Sequence, residues 1–338
     1  MLYYRPVAMT DSARPPEALT LAGGWCWFDR VEVLSRSAAP RLIPAADLPD
    51  DWRRRLTAPR APVCGLPMTH PQVMGILNVT PDSFSDGGDF LRPDTALSGA
   101  RAMIADGAAM LDVGGESTRP GAAEVATDEE IRRTVPVIEA LRRAGETVPI
   151  SIDTRKAAVA AAALAAGADM VNDVTALGFD PAMAATAAGA TLCLMHSIGT
   201  PATMQQDPQY ENVLLDVYDF LSERIARAEA VGMSRDRILL DPGIGFGKTD
   251  VHNKELLRHL SLFHGLGCPL LLGVSRKRTI GKIGGATDPK ARMPGSVAVA
   301  LAGISQGVQM VRVHDIEPTL QAIRLWQWLA APQESMTW

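Results

Sequence analysis

No run of apolar residues in this 338-residue chain reaches the ~18 needed to cross a bilayer as a helix. The opening stretch, MLYYRPVAMTDSARPP, has neither the charged end nor the apolar core of a secretory signal. Cysteine is scarce. Cys26, Cys64, Cys193 and Cys268 are dispersed, with no C-x-x-C pair and no histidine spacing suited to zinc. That usage predicts reduced thiols in a cytoplasmic protein. Positive charge is in deficit as well: 33 Lys and Arg stand against 38 Asp and Glu, for a net charge of −5. No basic stripe invites nucleic acid, and no polybasic run invites an acidic membrane. The expected partners are therefore small molecules, with no nucleic acid and no membrane among them.

What is present is a chain that is 47% hydrophobic and 21% charged, which suits one large domain with a small appendage. The first 70 residues stand apart. They hold three of the six tryptophans (Trp25, Trp27 and Trp52) and close on the proline-rich APRAPVCGLPMTHP. Within them GWCWFDRVEVL, residues 24–34, reads as one or two strands, and Trp25, Trp27 and Phe28 are expected to bury against the rest of the protein. Beyond Pro71 the pattern becomes regular. Apolar strand segments recur at 73–77, 109–113, 148–152, 168–172, 190–195, 237–241, 269–274 and 309–313. Segments with apolar residues at helical spacing lie between them, among them EEIRRTVPVIEALRRAG and NVLLDVYDFLSERIARAEAVG. Gly107, Gly145, Gly167, Gly189 and Gly232 each sit where a helix would stop before the next strand. The regular part has 338 − 71 = 267 residues, close to the ~250 of an eight-fold β/α barrel. A doubly wound sheet is the rival, but the Gly-rich phosphate turn it often carries after its first strand is missing. The sequence thus predicts an α/β fold, a (β/α)8 TIM barrel over residues 72–338, preceded by an N-terminal extension over 1–71.

In such a barrel the carboxyl ends of the strands share one mouth. Here those ends carry chemistry. Asn78 stands in MGILNVTPDSFSDGG, Asp112 in DVGGESTRPGA, Asp153 in SIDT, and Asn172 with Asp173 in VNDV. Met195 and His196 lie in LMHS, Asp241 in DPGIGFGK, Lys277 in GVSRKR, and Arg312, His314 and Asp315 in RVHD. One Asp at a strand end is usually a cap or a turn former; a polar residue at nearly every end implies a site. Acids and an amide at the centre (Asp112, Asp153, Asn172 and Asp241) suit a ring edge rich in N–H donors, such as a pterin or a purine-like ring. Lys277, Arg312 and His314 suit an anion, and Asn78 with Mg²⁺ completes a diphosphate site. Lys277 also suits a ring carbonyl. The glycines of GIGFGK permit close approach to a flat ligand, with Phe246 to stack. His196 reads either as a ligand or base, or as a residue that holds its own loop.

Together these segments resemble the dihydropteroate synthase family, over about residues 72–330. MGILNVTPDSFSDGG and ESTRPG are the most specific of them, and all stand in the family's order. The resemblance implies a TIM-barrel transferase, usually a homodimer, that uses Mg²⁺. The reaction joins p-aminobenzoate to 6-hydroxymethyl-7,8-dihydropterin diphosphate and releases diphosphate. Carried over by motif, Asp153, Asn172, Met195, Asp241, Phe246, Gly273 and Lys277 would hold the pterin. Asn78, Arg312 and His314 would hold the diphosphate, Asn78 with the metal. Phe84, Ser85, Thr118, Arg119, Pro120, Lys277 and Arg278 would shape the p-aminobenzoate pocket, which sulfonamides would also enter. Asn78, Asp112, Arg119, Lys277, Arg312 and His314 would serve the chemical step. The glycines in the Thr80–Gly88 and Gly114–Gly121 loops predict mobility without ligands, and hence ordered binding with the pterin first. Three features depart from the family pattern: a long leader, Ser197-Ile198 after His196, and Arg155 at a variable position. A methyltransferase barrel that shares the ring-binding acids, and an inactive pterin-binding paralogue, are the alternatives.

Overall fold

The computed structural model describes residues 1–79, 93–117, 121–199, 203–204 and 206–330. The extension folds first as short strands: β1 (Tyr3–Pro6), β2 (Leu19–Thr20), β3 (Trp27–Phe28), β4 (Arg30–Leu34) and β5 (Arg41–Pro44). Strands β1, β4 and β5 form an antiparallel sheet, β2 pairs with β3, and helix α1 (Asp50–Thr57) follows. This unit has a small core of its own, which includes Tyr4, Leu21, Cys26, Phe28, Val31, Val33 and Leu56.

The expectation for the three aromatics needs correction. A short sheet must cover its own face before it can cover anything else, and Phe28 is spent on that inner core. The Trp27 indole turns to the carbonyl of Asp11, 2.8 Å away within the extension. Only Trp25 bridges to the main body, donating to the carbonyl of Ile304 at 2.8 Å. Outside that trio, Tyr3 and Leu34 join the main core and the rings of Tyr3 and Trp52 pack on Tyr218 of the main body; polar ties add to these. The Tyr3 hydroxyl donates to the Asp219 carboxylate at 2.8 Å, Arg36 pairs with Asp216 and Asp219, and Ser261 Oγ donates to the carbonyl of Pro6 at 2.7 Å. None of these contacts reaches a strand end of the barrel. Phe28→Ala is therefore expected to cost about 3–5 kcal/mol of stability by emptying a fully buried site while leaving turnover per folded molecule unchanged. A thermal melt read beside a rate assay checks this.

The barrel then alternates strand and helix, with two helices in the last crossover. Its strands are β6 (Gln72–Asn78), β7 (Met110–Gly114), β8 (Ile150–Asp153), β9 (Met170–Asp173), β10 (Thr191–Met195), β11 (Ile238–Asp241), β12 (Leu271–Leu272) and β13 (Met310–Val313). The helices are α2 (Pro93–Ala105), α3 (Thr127–Arg143), α4 (Ala157–Ala165), α5 (Met183–Ala187), α6 (Val213–Ala230), α7 (Asp250–Arg258), α8 (Arg278–Gly284), α9 (Met293–Ile304) and α10 (Ile316–Ala330). The eight strands are parallel in the order β11-β10-β9-β8-β7-β6-β13-β12. A single parallel bridge, Leu240 to Leu270, joins the two edges, with the Leu240 N–H donating to Pro269 at 3.0 Å. The seventh strand is shorter than the expected 269–274 at both ends, and at its start Pro269 has no N–H to give a ladder.

Every strand is buried on both faces, which is why each reads as a continuous apolar run. Inside the barrel Met74, Met110, Met170, Cys193, Leu239, Leu271 and Met310 pack into one apolar cluster. Val63 and Met68, from the segment before β6, join that cluster. The floor is therefore dry, and polar groups collect above it at the strand ends. All four cysteines are free thiols. Among the described residues no helix is long and apolar enough to cross a membrane.

Candidate active site

Strand register assembles the site. Asn78 on β6 lies opposite Gly114 on β7, Gly114 opposite Asp153 on β8, and Asp153 opposite Asn172 on β9. One row of the sheet thus carries three polar side chains with a glycine between two of them. A Cβ at Gly114 would stand 3.6 Å from Asn78 Oδ1 and 3.5 Å from the Asp153 Cβ, so any larger side chain would fill the gap between them.

Arg312 on β13 reaches into this row. Its Nε donates to Asp112 Oδ2 at 2.5 Å and its Nη2 to Asp153 Oδ2 at 2.8 Å. Asn172 Nδ2 donates to the same Asp112 oxygen at 3.1 Å. The second oxygens, Asp112 Oδ1 and Asp153 Oδ1, are buried with no hydrogen-bond partner among the described residues. A buried acceptor without a donor is costly, and two of them aimed into one mouth mark where N–H donors of a ligand belong. Burial raises the Asp153 carboxyl to about 7 against the pull of Arg312, with Asp112 adding to the rise. Burial works against the Arg312 cation too, but Asp112 and Asp153 hold it above its ordinary value.

Asp241 ends β11 beside Met195, its register partner on β10. One oxygen accepts the Gly243 N–H at 2.7 Å. The other faces Gly273, whose absent side chain leaves 3.4 Å to that oxygen from an ideal Cβ. Burial raises the Asp241 carboxyl, while Lys277 opposes the rise. Lys277 lies 4.5 Å over the ring of Phe246 and donates to the carbonyl of Ile244. Burial brings its ammonium down to about 8, although Asp241 works to hold it up. Asp241, Gly273, Phe246 and Lys277 thus form one wall, and Asp112, Asp153 and Asn172 form the polar layer beside it, above the apolar floor. Gly243 is required here: its φ is +70°, and a Cβ would lie 1.8 Å from the carbonyl oxygen of His196.

At the rim, His314 Nδ1 lies 2.9 Å from Ser275 Oγ, which also accepts the His314 N–H at 3.1 Å. Arg276 holds a left-handed backbone with φ 56° and pairs with Asp315, so the neighbouring Lys277 turns inward while Arg278 stays exposed. Arg312 is committed to two carboxylates, whereas the sequence suggests an open anion contact. Phe84, Ser85, Thr118, Arg119 and Pro120 lie outside the described residues.

Some participants were not legible in the sequence. Ser275 as the partner of His314 is one. Another is Lys248, buried and 2.7 Å from His196 Nδ1. It also donates to the carbonyl of Phe246 at 3.0 Å. His196 packs edge-on against Phe220, and this arrangement favours the loop-holding role. A third is the ionic knot of Glu116, Glu130, Arg155 and Lys156 beside β8. The adjacent basic pair after SIDT was its only sequence signal.

Residues 74–314 match the family described as pterin binding enzyme. The chain is 48% identical over 300 residues to the dihydropteroate synthase of Synechocystis sp., covering 88% of this chain and 98% of that protein. The barrel segment has only 267 residues, so that match, at 88% of 338 or about 297, takes in at least about 30 residues of the leader. A solved Xanthomonas albilineans dihydropteroate synthase with 4-aminobenzoic acid is similar at 45% identity and TM-score 0.76, over 81% of this chain and 99% of that one. A Yersinia pestis dihydropteroate synthase in a sulfonamide drug complex is similar at 46% identity and TM-score 0.73, over 78% and 96%.

Proposed function

This chain belongs to the dihydropteroate synthase family of pterin-binding enzymes, and from that premise we propose the chemistry of its barrel mouth. It joins 6-hydroxymethyl-7,8-dihydropterin diphosphate to p-aminobenzoate, giving 7,8-dihydropteroate and diphosphate. The observation that carries this reading is the pair of buried acceptors on Asp112 and Asp153, without a partner among the described residues, beside Asp241 and Lys277. A ring bearing several N–H donors and a carbonyl satisfies that set. Asp153, Asn172, Met195, Asp241, Phe246, Gly273 and Lys277 hold the pterin. Asn78 and His314 receive the diphosphate at the rim, Arg312 meets it with the part of its guanidinium that Asp112 and Asp153 do not engage, and Phe84, Ser85, Thr118, Arg119, Pro120, Lys277 and Arg278 frame the arylamine.

The bond between the pterin methylene carbon and the bridging oxygen breaks, and its electron pair leaves with diphosphate. The positive charge left on carbon spreads over the ring, where the carboxylates of Asp112, Asp153 and Asp241 favour it. The arylamine lone pair then forms the C–N bond, and the nitrogen sheds a proton. That amine is neutral at pH 7, so no strong base is needed. Among the described residues no three His, Cys, Asp or Glu side chains gather into a metal cage. The half-buried Asn78 offers one hard oxygen at the rim. That single oxygen would suit Mg²⁺, an ion that generally keeps several waters and is held largely through substrate phosphates. When bound, the ion neutralises charge on the departing diphosphate.

Binding is ordered. Calorimetry should give no heat for p-aminobenzoate or a sulfonamide added to the empty enzyme, and clear heat once pterin and diphosphate are present. Tight binding to the empty enzyme would contradict an assembled site. Pterin affinity should also follow a bell in pH. A rise through about 7 ionises Asp153, which removes its O–H and makes it a charged and therefore stronger acceptor for the ring's N–H groups. A further rise through about 8 removes the Lys277 proton and weakens its contact with the ring carbonyl. Fluorescence titration from pH 6 to 9 reads both limbs. The enzyme is inferred to work in the cytoplasm as a homodimer. Support for the dimer comes from the exposed apolar side chains Leu325, Trp328 and Leu329 on α10.

A further inference from the structure

The loop from Gly243 to Lys248, after β11, carries the Phe246 ring of the site wall and ends on a buried cation. Lys248 is 2% exposed and its neighbour His196 3%. Lys248 Nζ donates to the Phe246 carbonyl at 3.0 Å and to the His196 carbonyl at 3.4 Å, and it lies 2.7 Å from His196 Nδ1. The His196 N–H in turn donates to the Asp241 carbonyl at 3.0 Å. One Nζ thus ties the backbone of Phe246 to the first residue after β10.

Further hydrogen bonds hold the same loop. The Tyr210 hydroxyl donates to the Gly247 carbonyl at 2.7 Å, and the buried Asn253 accepts the Gly245 N–H at 2.7 Å. Ideal Cβ atoms at Gly243 and Gly247 would stand 1.8 Å from the His196 carbonyl oxygen and 2.9 Å from the Ile198 Cβ, so the loop runs flush against the segment after β10. Burying an ammonium costs free energy even when its protons are shared. Burial holds both Lys248 and His196 well below their ordinary values. Net stability is therefore a poor reason for a lysine at this position, and fixed geometry is a better one.

We propose that Lys248 and Tyr210 are positioning residues for the pterin: by holding the Phe246 and Gly247 carbonyls against the segment after β10, they set the height and tilt of the Phe246 ring and so the width of the slot for the flat ligand. The proposal rests on the reading above that Phe246 stacks on the pterin. Both residues act through Phe246 and not on the ligand.

The test uses Lys248→Met, which keeps a chain of similar length without the donors, and Tyr210→Phe, which keeps the ring and loses only the hydroxyl. Each is made alone and together with Phe246→Ala. Calorimetry gives pterin diphosphate affinity, steady-state rates at saturating pterin diphosphate give KM for p-aminobenzoate, and a melt gives Tm. Lys248→Met should weaken pterin diphosphate binding about tenfold and Tyr210→Phe about threefold, as expected for the loss of buried hydrogen bonds. KM for p-aminobenzoate should stay within about twofold, because the arylamine does not lie in the slot. With Phe246→Ala already in place, neither substitution should add more than about twofold, since residues that act through one group are not additive. Full additivity with Phe246→Ala, equal losses for both substrates, or a lowered Tm with pterin affinity unchanged would overturn the proposal. Should Lys248→Met fail to fold, Tyr210→Phe decides by the same criteria. Failure of the underlying reading looks different: Phe246→Ala alone would then leave pterin diphosphate affinity unchanged, which would remove the stacking ring and this proposal with it.

Discussion

Arg119→Ala is expected to abolish turnover, by ~10²–10³-fold or more if it removes charge stabilisation in the transition state, while pterin diphosphate affinity stays within a few fold. The separation follows from where the ring belongs. Its acceptors sit on Asp112, Asp153 and Asp241 at the strand ends, above the apolar floor, where the described partners of these carboxylates are Arg312, Asn172 and Gly243. Single-turnover rates beside calorimetric pterin affinity read the two effects apart. Loss of pterin binding in this variant would assign the segment to the first substrate instead.

Asp241→Ala should do the reverse, weakening pterin diphosphate binding at least about tenfold. The carboxylate is buried, and only one of its oxygens is used internally, by the Gly243 N–H. The other faces the opening left by Gly273, where paired ring donors can meet it. Removing a charged acceptor from a buried contact costs about 1.5–3 kcal/mol, which is roughly 10- to 150-fold in affinity. Asp241→Asn keeps the shape and tests the charge alone. Calorimetry with pterin diphosphate measures both variants, and unchanged affinity in a folded variant would remove Asp241 from the ring site.

The barrel was legible because parallel strands covered on both faces are written as apolar runs, each closed by a polar residue at the mouth. Asn78, Asp153, Asn172 and Asp241 could be picked out for that reason, and strand register now aligns the first three in one row. Pairings across long stretches of chain were not legible. Nothing local to RVHD announces that Arg312 reaches Asp112 and Asp153, and nothing in GFGK announces that Lys248 meets His196. The left-handed turn at Arg276 that sends Lys277 inward has no glycine to mark it. The extension was the hardest part to read. Trp25, Trp27 and Phe28 read alike as a docking surface, but Phe28 and Trp27 are used within the extension, and the aromatic contact falls to Trp25 together with Tyr3 and Trp52.

The most direct test of the central claim is product identification. Purified enzyme, Mg²⁺, labelled p-aminobenzoate and the pterin diphosphate are mixed, and the products are separated and weighed by mass spectrometry. The account predicts 7,8-dihydropteroate and diphosphate in equal amounts, with label transfer that requires both substrates. A folded enzyme that binds the pterin but leaves the labelled arylamine unchanged would contradict it, and would leave the acid-lined mouth as a binding site without this chemistry.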